Sequence, residues 1–340
     1  MSDIDEFARS GFGASPRIAV LLPCYNEGRA IGKVVGAFRL ALPEAAIYVY
    51  DNNSTDNTVP SARHAGAVVH FETLQGKGNV IRRMFADIDA DVYVLADGDD
   101  TYDARSSTEM VRLLLENRLD MVTGVRVSQG MDAYRPGHQF GNWALTSLAG
   151  TIFGQRISDM LSGYRVFSRR FVKSFPALAT GFETETEFTV HALEMRMPIA
   201  EIETIYKDRA PGTASKLRTF KDGARILGTI FRLVRMERPL QFFGLTGAAL
   251  ALLSLVLGTP VVMHYLATGL VPRLPTALLA TGCMLVASLS LAVAMILESV
   301  SGARKEVKRL AYLRIPPFPH ESEDVDRLDV GAVEVGVRQL

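Results

Sequence analysis

The chain has 340 residues, room for about two domains or for one large α/β domain with an appendage. Its 37 Lys and Arg balance 37 Asp and Glu, which excludes a globally basic nucleic-acid binder and an acidic solvating tail as the main theme. Hydrophobic residues at 48% and charged residues at 22% exclude global disorder, and two distant cysteines, Cys24 and Cys283, exclude a disulfide scaffold or a CxxC zinc cluster.

Residues 1–16 carry early acids and no apolar run, so they read as an N-terminal segment and not as a secretory leader. Arg17 to Pro23 (RIAVLLP) is a buried-strand run, and Gly28 to Leu42 has helical periodicity. Ile47 to Asp51 (IYVYD) is a second strand, followed from Ser54 by a capped helix start, STDNT. Ala67 to Phe71 is a short third strand, Lys77 to Asp87 a helix, Asp91 to Ala96 (DVYVLA) a fourth strand, and Met121 to Gly124 a fifth. Strands alternating with helices imply a mostly parallel sheet over residues 17–217.

Residues 218–238 form a basic amphipathic helix, with Phe220, Ile226, Leu227, Ile230, Phe231 and Val234 at helical spacing among arginines. Ile205 to Arg238 holds nine Lys or Arg against three acids, which suits contact with anionic headgroups. Leu240 to Met263 and Thr276 to Leu297 contain no charged residue, and each is long enough to cross ~30 Å of hydrocarbon as a helix. This predicts a two-helix transmembrane hairpin within 239–299, with spans near 240–265 and 275–298. Arg225, Arg232, Arg235 and Arg238 precede it and Arg304, Lys305, Lys308 and Arg309 follow it. The positive-inside rule then places both flanks, both termini and the catalytic domain on the cytoplasmic side of the cell (inner) membrane. Residues 300–340 read as a cytoplasmic tail, Pro-rich near Ile315 and then acidic.

In an open parallel sheet, ligands bind beyond the carboxyl ends of the strands. Here those ends read Pro23-Cys24-Tyr25-Asn26-Glu27, then Asp51 to Asp56 (DNNSTD), then Asp97-Gly98-Asp99-Asp100. The Asp51 to Asp56 stretch also reads as a turn, since Asp and Asn fill turns. Three carboxylates in four residues at Asp97 to Asp100 repel one another and need compensation, which a divalent cation with oxygen ligands, Mg²⁺ or Mn²⁺, would supply. Gln75-Gly76-Lys77-Gly78 is a Gly-rich loop before a helix, so Lys77 reads either as a phosphate ligand or as a solvated loop residue. Glu183, Glu185 and Glu187 alternate at a strand face or a helix N-terminus, while His191 and His264 lack metal-ligand partners and read as structural.

Taken in order, LLPCYNE, YDNNSTDNT, QGKGNVIR, ADGDD, SDMLSGYRVF, GFETETE and RAPGTASKL resemble the family 2 glycosyltransferases of GT-A fold. Within them the chain is most similar to the polyprenyl-phosphate group, which includes dolichyl-phosphate mannose synthases and bactoprenol glucosyltransferases, over about residues 17 to 300. The resemblance implies a GT-A nucleotide-binding α/β domain with a mixed, mostly parallel sheet. It implies an inverting transfer of a hexose from a nucleotide sugar (UDP-glucose, UDP-GlcNAc or GDP-mannose) to polyprenyl phosphate. It implies that Pro23, Tyr25 and Glu27 line the nucleotide pocket, that Asp51 bonds the base, and that Lys77 and Asp97 lie against the nucleotide sugar. Asp97 and Asp99 would hold the metal, Asp99 and Asp159 would be catalytic, and Arg209, Ser215 and Lys216 would contact phosphates of donor or lipid acceptor. An acid of the GFETETE stretch, Glu185 or Glu187, would lie near the sugar. Asp51-Asn52-Asn53 departs from the family's Asp-Asp-Gly, so uridine and guanosine are not separated here. Family analogy adds a homo-oligomer. The alternatives are a processive or glycan-extending transferase, disfavoured by a single Trp (Trp143) and no QxxRW-type segment, and a silent nucleotide-sugar-binding membrane scaffold.

Overall fold

The computed structural model describes residues 15–128, 157–181, 183–207 and 238–318, with single positions 150, 228 and 235. The chain divides into two compact units, residues 1–216 with 308–340, and residues 217–307.

The first unit is a sheet with helices on both faces. Its strands are β1 (Ile18–Cys24), β2 (Ala46–Asp51), β3 (Val68–Phe71), β4 (Val92–Leu95), β5 (Met121–Ser128), β6 (Arg165–Ser168) and β7 (Ile199–Tyr206). Its helices are α1 (Ile31–Ala41), α2 (Thr58–His64), α3 (Lys77–Asp87), α4 (Ser106–Glu116), α5 (Arg169–Ser174) and α6 (Thr184–Met195). The strand order is β3-β2-β1-β4-β6-β5-β7. Every pairing is parallel except those of β6, which runs antiparallel to both β4 and β5. The sheet is therefore mixed and mostly parallel, as the strand–helix alternation predicts.

The period-2 geometry of strands sorts the core into two layers. Ile18, Val20 and Leu22 of β1, with Val92 and Val94 of β4, pack under Ile31, Val34 and Phe38 of α1 and Met110, Val111 and Leu114 of α4. Ala19, Leu21, Tyr93 and Leu95 face the other way, onto Val80, Ile81 and Met84 of α3 and Phe171 and Phe188 of α5 and α6. Covering on both faces is why β1 and β4 read as continuous apolar runs.

Parallel register puts the carboxyl ends together. Cys24 pairs with Asp51 across β1 and β2, and Leu21 pairs with Leu95 across β1 and β4. Because β6 runs antiparallel, the loop that enters it from Asp159 lies at this same edge, where Arg165 pairs with both Leu95 and Thr123.

The second unit holds α7 (Pro239–Thr268) and most of α8 (Leu274–Leu313). Both are long and apolar enough to cross a membrane. Most of their large apolar side chains, such as Leu252, Leu266, Leu285 and Leu289, are exposed, unlike those of a core helix in a soluble protein. The two helices meet along small residues: Gly247 lies against Ala287 and Ser290, and Ser254 donates to the Ala280 carbonyl at 2.7 Å. Ala280, Ala287, Ala294 and Ser301 recur every seventh residue on the buried face of α8, the spacing of a left-handed helix pair. α8 runs past the expected end of the second span near 298, to Leu313. Lys308 to Phe318 is counted with the sheet unit, where Tyr312 donates to Asp120 at 2.7 Å, Arg170 stacks on Tyr312 and Phe318 packs on the core.

Candidate functional site

Three loops build the carboxyl edge, and the acids of the second are split between ligand-ready and scaffolding roles. Asn26 has a left-handed backbone (φ 55°); its N–H donates to Ser54 Oγ and its Oδ1 accepts from Thr55 N, both at 2.8 Å. Glu27 N donates to Thr58 Oγ1 at 2.8 Å, and Gly28 N to Asp56 Oδ2 at 2.9 Å. Burial works to raise the Asp56 carboxyl, but hydrogen bonds from Thr58 and Gly28 outweigh it and hold it low. The motif after β2 thus pins the Pro23–Glu27 loop, on which Pro23 is half-buried and Tyr25 exposed.

Asp51 is buried; its Oδ2 accepts from Ser54 N at 3.1 Å, while Oδ1 has no partner among the described residues. A buried carboxylate oxygen with no donor is costly unless a ligand supplies one. Asn52 does different work. Its amide nitrogen donates to the carbonyls of Glu72 and Leu74, and its Oδ1 accepts from Gly76 N at 2.8 Å. Only a side chain that both donates and accepts can do this, so the departure from Asp-Asp-Gly reflects anchoring of the 72–76 loop.

In the third loop, Gly98 packs against the first: a Cβ there would lie 2.5 Å from Cys24 Sγ. Asp97 Oδ1 accepts from Lys77 Nζ at 2.5 Å, and Asp99 Oδ1 from Thr101 Oγ1 at 2.6 Å. Asp100, at φ 60°, pairs with Lys33 and lies 3.6 Å from Lys207. Lysines therefore supply part of the compensation that the acid run demands. Among the described residues no cluster of three or more His, Cys, Asp or Glu could hold a metal. Two carboxylates two residues apart still fit the hard-cation pattern in which ligand phosphates complete the shell.

Lys77 is not a solvated loop residue. Its side chain is 10% exposed, and Nζ lies 2.6 Å from Glu185 Oε1 as well as 2.5 Å from Asp97. Burial disfavours its charged form, but the two carboxylates outweigh that and raise its pKa. Glu185 is buried with Oε2 unpartnered among the described residues, so it sits in the site. Glu187 caps the neighbouring loop instead, accepting from Leu178 N and Ala179 N at 2.9 Å.

Asp159 is buried and gripped by a residue that sequence reasoning missed. Arg126 on β5 donates from Nε to Oδ2 at 2.7 Å and from a terminal nitrogen to Oδ1 at 2.8 Å. Burial works to raise the Asp159 carboxyl, but the Arg126 fork prevails and holds it below the usual range. Arg126 also stacks on Tyr206, 5.6 Å from the ring centroid. Arg165, also missed, is fully buried; it donates to the carbonyls of Ser162 and Met160 at 3.0 Å and to Thr189 Oγ1 at 2.9 Å, shaping the loop after Asp159. Burial pushes its pKa down to about 10, against the pull of Glu185, Asp159 and Glu201. A charge opening the otherwise apolar run of β6 was the available signal. Arg209, Ser215, Lys216 and nearly all of the 218–238 helix lie outside the described residues.

With this geometry in place, known proteins can be set beside it. The glycosyl transferase family 2 profile matches residues 19–175. Glycosyltransferase AglJ of Haloferax volcanii is 33% identical over 238 residues, which cover 68% of this chain and 77% of that protein. The dolichyl-phosphate hexose transferase of the same organism is 29% identical over 222 residues, 65% of this chain and 95% of its own length. Among solved structures, glucosyl-3-phosphoglycerate synthase of Mycobacterium tuberculosis, in complex with Mn²⁺, UDP-glucose and phosphoglyceric acid, superposes with a TM-score of 0.55 at 21% identity, covering 68% of this chain and 83% of that one. That likeness is one of fold.

Proposed function

The chain belongs to glycosyl transferase family 2, and on that premise we propose that it is a membrane-bound inverting hexosyltransferase whose acceptor is a polyprenyl phosphate. The observation that carries the reading is the convergence of Asp51, Asp97, Asp99, Lys77, Glu185 and Asp159 on the carboxyl edge of one sheet, in a chain with two long apolar helices. The dolichyl-phosphate hexose transferase relative supports the acceptor class. The Mn²⁺ and UDP-glucose of the structural neighbour support a metal-assisted nucleotide-sugar donor.

In this reading Oδ1 of Asp51, unpartnered among the described residues, accepts an N–H of the nucleobase, and Tyr25 and Glu27 line the pocket. Asp97 and Asp99 would hold Mg²⁺ or Mn²⁺, which when bound supplies positive charge to the departing diphosphate. Arg209 and Lys216, with Ser215, would add donors to phosphate oxygens. An oxygen of the acceptor phosphate bonds to the anomeric carbon as that carbon's bond to the donor phosphate oxygen breaks, and the electron pair leaves with the nucleoside diphosphate. A phosphate monoester has a second pKa of ~6, so at neutral pH the nucleophile needs little deprotonation. Asp159 is already committed to Arg126 as a carboxylate, which suits a positioning role better than that of a base. The basic flanks support the cytoplasmic face of the membrane as the place of this chemistry.

The test is product formation by the purified protein in detergent, supplied with polyprenyl phosphate, Mg²⁺ or Mn²⁺ and a panel of radiolabelled UDP- and GDP-sugars. Label should enter the lipid from one donor and disappear with chelator and in Asp99→Ala. Donor binding without lipid labelling, for every donor, would overturn the proposal in favour of a silent binding module.

A further inference from the structure

Lys77 is the first residue of α3, and its surroundings leave it one position. Gly76 has φ 131°, and a Cβ there would lie 2.2 Å from the Thr180 carbonyl oxygen. Gly78 N donates to that carbonyl at 3.2 Å, and a Cβ on Gly78 would lie 2.3 Å from the Ala179 oxygen. The Gly-Lys-Gly segment is thus laid flat against the 179–180 backbone, and only glycines permit that approach. The lysine stem is directed inward, where its ammonium meets Asp97 from the loop after β4 and Glu185 from the first turn of α6. Gly163 closes over the contact itself, because a Cβ there would lie 3.0 Å from Asp97 Oδ2 and 3.1 Å from Lys77 Nζ, while the Asp97 side chain keeps 30% of its surface exposed. One cation from a third element therefore sets the separation of two acids that the chain brings together from distant positions.

A lysine that grips donor phosphates needs a charge not already neutralised by protein carboxylates and a path to the ligand. Lys77 has two carboxylates within 2.6 Å and a nearly closed environment. We propose that Lys77 is a positioning residue, an internal ammonium that fixes Asp97 and Glu185 in one arrangement before metal or donor arrives, and not a ligand of the donor diphosphate. The inference rests on the glycosyl-transfer reading of this edge, but it concerns the ground-state site and is testable without turnover. Because the ammonium and a divalent cation compete for the same Asp97 carboxylate, Lys77 lowers the affinity of the empty site for metal in exchange for order.

The experiment measures Mn²⁺ binding to the full-length protein in detergent by electron paramagnetic resonance, without nucleotide, and then UDP and GDP binding in its presence. Lys77→Met should bind Mn²⁺ alone about tenfold more tightly, the removal of a cation held at hydrogen-bond distance. Glu185→Gln, which takes away the carboxylate that shares the ammonium with Asp97, should shift the affinity in the opposite direction. Any turnover of the wild type should fall at least tenfold in kcat in Lys77→Met, with nucleotide affinity changed little. If Lys77 is instead a diphosphate ligand, Lys77→Met leaves Mn²⁺ binding unchanged and weakens UDP or GDP, and the inference is overturned. If Lys77→Met does not fold, an unchanged or increased Mn²⁺ affinity in Glu185→Gln overturns it by itself. A wild type that binds Mn²⁺ but glycosylates no lipid phosphate would refute the proposed acceptor while leaving these affinity shifts to decide the role of Lys77.

Discussion

The pairing of Arg126 with Asp159 makes a quantitative prediction. Asp159→Asn keeps the side-chain volume but removes the charge that answers the guanidinium. Breaking a buried ion pair by removing one partner costs roughly 3–5 kcal/mol. The Asp159 side chain is 4% exposed but that of Arg126 is 20% exposed, and Arg126 retains its contact with Tyr206. Solvent and ring screen part of the orphaned charge, so about 2–3 kcal/mol is expected for Asp159→Asn or Arg126→Met alone. The double variant should lose no more than either single one, a coupling of about 2 kcal/mol or some 30-fold in the unfolding equilibrium. Urea unfolding in detergent, followed by circular dichroism, measures the cycle. Additive losses within about 0.5 kcal/mol would refute the pairing.

The same pair bears on the pH profile. The Asp159 carboxyl is lowered in the folded state, so its contribution to stability is present above its unfolded pKa and is lost only as pH falls through the folded one. The acid limb of kcat/KM should instead lie at ~6, where the acceptor phosphate takes up its second proton. Asp159→Asn should reduce the rate without moving that limb. A limb that vanishes in Asp159→Asn would make this residue the base.

Burial first, and then the charge of Lys308, push His191 down to about 3 from 6.5. The unfolded chain therefore binds a proton that the folded one refuses, so stability falls by about 1.4 kcal/mol per pH unit below 6.5, and His191→Met should flatten that slope in unfolding at pH 5–7. Tyr312→Phe deletes the 2.7 Å bond to Asp120, which keeps Ser168 as a donor, so a loss of about 1–2 kcal/mol is expected. Ending the chain after Val307 also removes the Lys308–Glu194 pair and Phe318, and should lower the melting temperature further; an unchanged melting temperature would show the segment to be dispensable. Gly98→Ala drives its methyl into Cys24 Sγ at about 1–3 kcal/mol, and Cys24→Ala in the same chain should recover most of that loss in thermal unfolding.

Strands β1, β2 and β4 were legible because each is an apolar run that gives way to polar residues at its carboxyl end, and burial on both faces requires such runs. β6 was not, since four residues inside a polar motif carry too little periodicity, and β7 was not, since Ile199–Tyr206 mixes glutamates into a strand with one strongly buried position. The acids of the site were legible individually, because chemistry-bearing side chains at strand ends have few other uses. Their partners were not. Lys77 lies 20 residues from Asp97 and Arg126 lies 33 from Asp159, and nothing local marks either contact. The choice between Glu185 and Glu187 turned on the face of α6 that meets α3, a tertiary fact that alternation in sequence does not carry.

In the proposed reaction the acceptor is a phosphate and the transferred group a bare sugar. Mass spectrometry of the lipid product, together with the nucleotide released per lipid consumed, tests it directly. The expected product is a lipid with one phosphorus, now a phosphodiester to the anomeric carbon, with one nucleoside diphosphate released per product. A lipid carrying two phosphorus atoms with release of a nucleoside monophosphate, or free hexose with the lipid unchanged, would contradict it.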